Sequence, residues 1–327
     1  DQLVFDLYEM DEGDRALVHD EMSDMPAIEN KKDLTSRVED LLMWCVGVAF
    51  GRWDVRKALD PSRLPALGDP FDPLPRCAPG ALVGDDGLPM SKEDLPGAYP
   101  LPVAWDGILV DDPTHPSDIV SRVQGVLDLL WGERAHAIQR EICDILGVDR
   151  LRDYFRDPRN GFFAFHAKRY SKSRRHAPIY WLLQSEERHY GVWLYYHRLD
   201  TSLLYNAGRG YADAKVELEL GRLENLQEGA DTLQGSERRR RYREIERQTA
   251  ILEDVTSFRD KLDRIALLDL AFDLNDGVLL NIAPLRELVP WRYADRTWNR
   301  LQEGKYGWSS MARQLREIGL VEAPSET

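Results

Sequence analysis

The segment from His166 to Trp181 has the sequence His-Ala-Lys-Arg-Tyr-Ser-Lys-Ser-Arg-Arg-His-Ala-Pro-Ile-Tyr-Trp. Between Pro158 and Gln184 the chain carries six Lys or Arg residues and neither Asp nor Glu. The whole chain of 327 residues has, in contrast, a formal net charge of −14. An island of positive charge beside aromatic rings favours a polyanionic ligand, and first of all a nucleic-acid backbone. The alternative is a solvated loop whose charges serve only solubility.

Two strand candidates follow this basic segment. Ile179–Gln184 and Tyr190–Tyr196 are rich in aromatic and branched residues, and the polar stretch between them predicts a hairpin with a short loop. The aromatic residues of the two strands are candidate stacking platforms for bases, although aromatic residues in strands are more often core: Tyr180, Trp181, Trp193, Tyr195 and Tyr196.

Upstream, apolar residues recur at helical spacing from Leu34 to Ala49, which predicts a buried helix. Residues 60–116 hold twelve of the 18 prolines and predict a long irregular region, with short strands around residues 81–83 and 105–110. We expect this region to be ordered, because Phe71, Tyr99 and Trp105 give it something to bury. Ser117 is a candidate N-cap for the next helix. Further helices are predicted over residues 133–146, ending at Gly147, and 149–155.

Downstream, residues 212–266 predict two long helices with a break near Gly229–Gly235, forming an antiparallel helical hairpin. Five arginines lie near the start of the second helix, at positions 238–241 and 243. Positive charge at a helix start is opposed by the helix dipole, so an anionic partner would stabilise it. Glu237, Glu244 and Glu246 are alternative partners within the helix. The remaining residues predict short helices that pack against the body.

These patterns together predict an α+β fold that is predominantly helical, with an aromatic β-hairpin and a long antiparallel helical hairpin. We divide the chain into residues 1–116, a connector helix and a Pro-rich irregular region; residues 117–205, helices with the basic segment and β-hairpin; and residues 206–327, the helical hairpin and C-terminal tail. Cys45, Cys77 and Cys143 are isolated, which fits a reducing cytoplasm. The longest apolar run is too short to span a bilayer, so we expect a cytoplasmic protein with no membrane partner.

Catalytic motifs are not apparent in the sequence. We find neither a glycine-rich phosphate loop nor a Gly-x-Ser-x-Gly elbow, and the histidines are scattered. Gly208-Arg-Gly210 precedes a helix but follows no convincing strand. The sequence therefore predicts no catalytic residue, no metal site and no cofactor within this chain.

Six segments occur together in an order that resembles a known enzyme family: 46–54 (VGVAFGRWD), 117–123 (SDIVSRV), 170–181 (YSKSRRHAPIYW), 194–200 (LYYHRLD), 274–281 (LNDGVLLN) and 304–308 (GKYGW). The set resembles the C-terminal part of class I adenine-specific DNA methyltransferases of phage-defence systems. It is most like the PglX-like methyltransferases of BREX systems and the type IIG restriction–modification enzymes. The likeness spans most of the chain after residue 34.

The resemblance implies a role in target recognition. The N-terminal half of such enzymes carries the S-adenosylmethionine site and an Asn-Pro-Pro-Tyr loop that holds a flipped adenine. This chain has neither motif, so no catalytic residue is transferred to it. The expected partners are double-stranded DNA and the methyltransferase catalytic domain or other defence-system subunits. An alternative function is a protein–protein interaction module that uses the helical hairpin.

The candidate DNA contacts combine the basic segment with the start of the second long helix. They are Lys168, Arg169, Tyr170, Lys172, Arg174, Arg175, Tyr180, Arg238, Arg240 and Arg241. We expect the cations to contact phosphates or enter a groove and the tyrosines to lie against sugar or base.

Overall fold

The computed structural model describes residues 11–16, 31–64, 71, 73–172 and 175–322. The helices are α1 (Lys31–Ala49), α2 (Val55–Leu59), α3 (Ile119–Trp131), α4 (Ala135–Leu146), α5 (Leu151–Arg156), α6 (Phe162–Arg169), α7 (Leu203–Asn206), α8 (Asp213–Gln227), α9 (Gly235–Ala266), α10 (Val278–Ile282), α11 (Arg292–Gln302) and α12 (Ser310–Glu317). The strands are β1 (Ile108–Val110), β2 (Ser171–Lys172), β3 (Arg175–His176), β4 (Tyr180–Gln184) and β5 (Gly191–Tyr195). The predicted α+β class, predominantly helical, is confirmed.

A small antiparallel sheet forms the centre of the fold, with strand order β1-β5-β4. The register pairs Trp181 with Leu194 and Ile108 with that same Leu194 from the other side. Every residue of β4 and β5 is buried, because helices and loops cover both faces of these strands. The predicted aromatic hairpin is confirmed, and the strand predicted over residues 105–110 becomes the third member of the sheet.

Helices α1, α3 and α4 pack together beside the sheet. A Cβ added to Gly47 of α1 would lie 2.3 Å from Cδ1 of Trp53 and 3.0 Å from the Tyr180 hydroxyl, so this glycine permits a close approach. Helix α4 ends at Gly147 with φ 71°, as the sequence predicts.

The predicted N-cap at Ser117 is wrong by one residue. Asp118 caps α3, and its carboxylate accepts a hydrogen bond from the Ser121 amide at 2.9 Å. The same carboxylate accepts hydrogen bonds from both terminal nitrogens of Arg152 at 2.8 Å. This long-range pairing favours Asp118 over Ser117 at the cap position.

The Pro-rich region is irregular, and its described parts are tied to the body. Residue Trp53 bridges to Ala81, and the Lys57 ammonium donates to the carbonyls of Pro79 and Ala81 at 2.8 Å. The guanidinium of Arg198 lies 4.7 Å from the ring of Trp105. The expectation that Phe71 is buried is wrong, because its side chain is 95% exposed.

Helices α8 and α9 form the predicted antiparallel hairpin. Three side-chain contacts define the direction: Arg241 to the Leu226 carbonyl, Gln248 to the Glu219 carbonyl, and Arg259 to the Asp213 carboxylate. Residue numbers rise along α9 as they fall along α8, so the helices run in opposite directions.

The C-terminal helices α11 and α12 build a second, smaller hydrophobic cluster beside the main core. Trp298, Leu301 and Leu315 lie in it together with Leu280 of α10. The Asp276 carboxylate accepts the amides of Ser310 and Met311 at the start of α12, which fixes the tail to the preceding turn. None of the helices described by the structure has the length and apolar character needed to cross a membrane.

Candidate nucleic-acid interface

The basic segment forms the end of α6 and a two-stranded hairpin. Ser171 of β2 pairs with His176 of β3, and Lys172 pairs with Arg175. The Ser171 hydroxyl donates to the Ala167 carbonyl at 2.6 Å, which joins the hairpin to the last turn of the helix. Lys168 and Arg169 lie in that last turn, where the helix dipole favours positive charge. We call the described residues 168–172, 175 and 176 the basic hairpin.

A buried histidine anchors the basic hairpin to the central sheet. The Nε2 atom of His166 accepts the backbone N–H groups of Ile179 and Tyr180, each at 3.0 Å. Burial, with a smaller effect of the positive charge on Arg52, lowers the pKa of His166 to about 3. The imidazole is therefore neutral at physiological pH and remains an acceptor, so the hairpin has a fixed attachment.

Tyr170 is committed mainly to contacts within the protein. Its hydroxyl accepts a hydrogen bond from Arg52 at 2.8 Å, and its ring lies 4.7 Å from that of His166. The residue is half-buried at the base of the basic hairpin. It therefore positions the hairpin and leaves only part of its ring accessible.

Lys168 and Lys172 provide the charge that remains available. Both side chains are exposed, and neither forms an ion pair within the described residues. Arg169 is also exposed, but its guanidinium lies 3.1 Å from the Asp40 carboxylate of α1. Between α1 and α6 lies a cavity of about 740 Å³ that Lys168, Arg169 and Lys172 border. Glu39 of α1 lines the same cavity and interacts electrostatically with Lys168. Since neither ammonium group is in an ion pair, both can bind phosphate without breaking one.

The remaining positions of the basic hairpin are only partly described. Arg174 lies outside the described residues, as does the side chain of Arg175. The backbone of Arg175 pairs with Lys172 and so belongs to the same hairpin. Their expected phosphate contacts stay predictions.

Tyr180 does not serve as a stacking platform. Its side chain is completely buried and its ring stacks on Phe50 at 5.3 Å. Trp181, Trp193, Tyr195 and Tyr196 are likewise buried in the main core. The physical reason is that β4 and β5 are covered on both faces, so no side of the hairpin is left for bases.

The arginines at the start of α9 mostly have partners within the hairpin. Arg240 and Arg241 lie 3.4 and 3.7 Å from the Glu244 carboxylate, and Arg241 also donates to the Leu226 carbonyl. The guanidinium of Arg238 lies 5.4 Å from the ring of Tyr242. The Glu244 carboxylate therefore partners Arg240 and Arg241 within the helix. This is the alternative to phosphate contact that the sequence leaves open. No hydrogen bond or ion pair of the described residues joins these arginines to the basic hairpin.

A second group of cations lies next to the basic hairpin and was missed from the sequence. Arg292, Arg296 and Arg300 recur every fourth residue along α11, and all three are exposed. Tyr293 of the same helix contacts His176 of the basic hairpin, with ring centroids 4.1 Å apart. The four-residue spacing of the arginines is visible in the sequence. Because Asp295 lies between them and Glu303 follows them, the segment has the mixed charge of an ordinary solvated helix face.

Metal and methyl-donor sites are not indicated in the part of the chain that the structure describes. No group of three or more His, Cys, Asp or Glu residues could hold a metal ion there. The described three-stranded sheet is antiparallel, without the strand–helix–strand crossover and glycine-rich turn that usually bind a nucleotide-like cofactor. We therefore assign no residue to S-adenosylmethionine.

Comparison with known proteins places this chain beside two adenine-specific methyltransferases. It is 28% identical over 207 residues to the adenine-specific methyltransferase BrxX of Escherichia coli O9:H4 (strain HS), an alignment covering 59% of this chain and 17% of that protein. It is 24% identical over 262 residues to the adenine-specific methyltransferase PglX of Lacticaseibacillus casei (strain Zhang), covering 77% of this chain and 20% of that protein. No protein-family model matches the chain. The chain thus spans about a fifth of the length of the curated relatives it matches.

Proposed function

We propose that this chain is the DNA target-recognition region of an adenine-specific (N6) DNA methyltransferase of a BREX or related phage-defence system, and that methyl transfer takes place outside it. The similarity to two adenine-specific methyltransferases supports the enzyme class. The observation that carries the DNA-binding role is the pair of unpaired, exposed ammonium groups of Lys168 and Lys172 on a chain of net charge −14.

The proposed division of labour follows from the chemistry of base methylation. An enzyme that acts on a base in duplex DNA must hold the duplex while the target base rotates out of the stack. Phosphate contacts fix the register of a protein on the duplex but carry no sequence information themselves. The basic hairpin, held by His166 and Tyr170, supplies such contacts on a rigid support. S-adenosylmethionine would be bound by the catalytic part of the enzyme.

The test is the salt dependence of duplex binding by this chain. We compare the wild type with Lys168→Gln/Lys172→Gln by fluorescence anisotropy on a labelled duplex over a series of salt concentrations. Each phosphate contact contributes about 0.9 to the slope of log affinity against log salt, so the slope should fall by about 1.8. The matched control is Arg134→Gln/Arg140→Gln, which removes the same charge from exposed positions at α4.

Equal slopes for the two double variants would contradict the role of the basic hairpin. Absence of duplex binding by the wild type would contradict the proposed function as a whole.

The alternative, docking of a protein partner on the α8–α9 hairpin, has less support. Leu223 is 9% exposed and packs within the hairpin, and the arginines of α9 pair with Glu244. Leu220 and Tyr242 are the large apolar side chains that the described hairpin exposes. If the alternative holds, Leu220→Glu should abolish binding to a methyltransferase catalytic domain and leave duplex binding unchanged.

A further inference from the structure

The basic hairpin lies beside a longer concave surface that extends to helix α11. The cavity between α1 and α6 shares Lys168 and Ser171 with a neighbouring cavity of about 440 Å³. This second cavity shares His176 and Tyr293 with a third one of about 830 Å³ along α11. The three cavities therefore adjoin one another along one surface, which we call the α6–α11 groove.

Most cations of this groove form no ion pair; the exception is Arg169, which pairs with Asp40. Arg159, Lys168 and Arg292 border the middle cavity, and no Asp or Glu does. Arg296 and Arg300 border the third cavity, where Glu303 is the sole carboxylate among the described lining residues. None of these five cations is in an ion pair with a described residue, whereas elsewhere on the body the partly buried Arg152 and the buried Lys215 are paired with carboxylates.

The aromatic side chains hold the arginines of α11 in a row along the groove. The guanidinium groups of Arg292 and Arg296 lie 5.5 and 5.4 Å from the centre of the Tyr293 ring. Arg300 donates to the Tyr306 hydroxyl at 3.0 Å. Such contacts reduce the side-chain freedom that would be lost on binding an anion. His176 adds a buried Nδ1 atom without a hydrogen-bond partner in the described structure, at the junction of the two cavities.

The spacing of the arginines suits a phosphodiester chain. Residues four apart on a helix rise by about 6 Å, so Arg292 to Arg300 spans about 12 Å. A DNA strand that follows this row presents successive phosphates to successive guanidinium groups. A single small anion would not need three guanidinium groups along one helix face, but a polyanion uses all of them.

We infer that the α6–α11 groove binds a DNA phosphate backbone through Arg292, Arg296 and Arg300, in continuation of the contacts made by Lys168 and Lys172. This inference rests on the proposed function and extends it. It assigns to α11 three phosphate contacts, one more than the two made by Lys168 and Lys172. The bound strand would run from the rim of α1 and α6, past His176 and Tyr293, to the end of α11.

The experiment uses the same duplex and salt series with the triple variant Arg292→Gln/Arg296→Gln/Arg300→Gln. The slope should fall by about 2.7 relative to wild type, since three phosphate contacts are removed. The matched control Arg76→Gln/Arg134→Gln/Arg140→Gln removes three exposed charges that border none of these cavities, and its slope should stay near that of the wild type. The variant Arg292→Lys/Arg296→Lys/Arg300→Lys keeps the charges and should retain most of the slope.

The possible outcomes separate the two proposals. If the α11 triple variant behaves like its control while Lys168→Gln/Lys172→Gln lowers the slope, the inference is wrong and the proposed function stands. If the wild type does not bind the duplex, both are wrong. A loss of binding in the Gln and Lys triple variants alike, with reduced melting temperature, would show that the arginines serve folding and would also overturn the inference.

Discussion

At the scale of single residues, Gly47 tests how closely α1 approaches the sheet. We expect Gly47→Ala to destabilise the protein, because the new methyl group would lie 2.3 Å from Cδ1 and 2.6 Å from Nε1 of the Trp53 indole. Overpacking of this kind costs about 1–3 kcal/mol, while the higher helix propensity of Ala returns at most about 1 kcal/mol. Urea denaturation should show a lower midpoint than that of the wild type.

Gly221 of α8 is the matched control for this prediction. It also lies within a helix, but no atom lies within 4 Å of an added Cβ. Gly221→Ala should therefore raise the free energy of unfolding by about 0.5–1 kcal/mol. If Gly47→Ala raises the free energy of unfolding as Gly221→Ala does, the added methyl group does not overpack against Trp53.

Asp254 gives a prediction for the pH dependence of stability. Burial alone would raise the pKa of this carboxyl, but hydrogen bonds from Ser185 and from the amides of Glu187 and His189 outweigh it and lower the pKa. A depressed folded-state pKa stabilises the fold above the ordinary Asp value of about 3.9, and this contribution is lost as the pH falls through the folded value. At pH 6 the wild type should therefore have a higher free energy of unfolding than Asp254→Asn. This difference, the stability margin, should shrink below about pH 4.

Measurement of urea unfolding curves for both proteins at several pH values checks this expectation. A margin that stays constant from pH 6 down to the acid transition would show that the charge on Asp254 is unimportant. In that case only the shape of the side chain would hold the β4–β5 turn against α9.

At the scale of elements, Lys215 joins the helical hairpin to the body. Its ammonium lies 3.1 Å from the Asp112 carboxylate and 2.7 Å from that of Glu219, and the Lys215 and Asp112 side chains are each 6% exposed. Removing one partner from a buried ion pair leaves an uncompensated charge, which costs about 3–5 kcal/mol. Lys215→Met should lower the free energy of unfolding by that amount.

Lys261→Met provides the comparison on the same hairpin. Lys261 lies 3.4 Å from Glu186, whose side chain is 77% exposed, so its loss should cost less than about 1 kcal/mol. Equal effects of the two substitutions would mean that water reaches Lys215, and the α8–α9 hairpin would then be held by apolar packing alone.

Most elements were predictable because their signals are local. Gly147 ends α4, the break at Gly229–Gly235 separates α8 from α9, and segments rich in aromatic and branched residues form β4 and β5. The failures depend on contacts distant in sequence. Asp118 rather than Ser117 caps α3, and its carboxylate also binds Arg152, 34 residues away.

The candidate site was predictable in part for the same reason. The charge of the basic hairpin is a local property, and Lys168 and Lys172 are indeed exposed. Whether Tyr180 faces solvent depends on what covers the sheet, and both faces of β4 prove to be covered. The arginine row of α11 could not be linked to the basic hairpin from the sequence, because the linking contact joins Tyr293 to His176, more than a hundred positions away.

At the scale of the whole molecule, the fold separates a main core from a smaller C-terminal one. The main cluster contains residues from α1 to α11, including Val38, Trp193 and Ala294, whereas the smaller one is built from α10–α12 and the segments beside them. Phe272 packs against both clusters. The smaller cluster is expected to open locally at lower free energy than the main core.

Leu315→Ala tests whether the C-terminal helices open as a separate unit. Leu315 is fully buried in the smaller cluster, and loss of its side chain should cost about 2–5 kcal/mol. Amide hydrogen exchange should then rise in α11 and α12 and stay at the wild-type rate in β4 and β5. Leu183→Ala, a fully buried substitution in the main core, should instead raise exchange throughout.

Because α11 carries the arginine row, Leu315→Ala should also lower the salt slope of duplex binding toward that of the α11 triple variant. Equal acceleration of exchange in both cores would show one cooperative unit, and the arginine row would then be as firmly held as the basic hairpin.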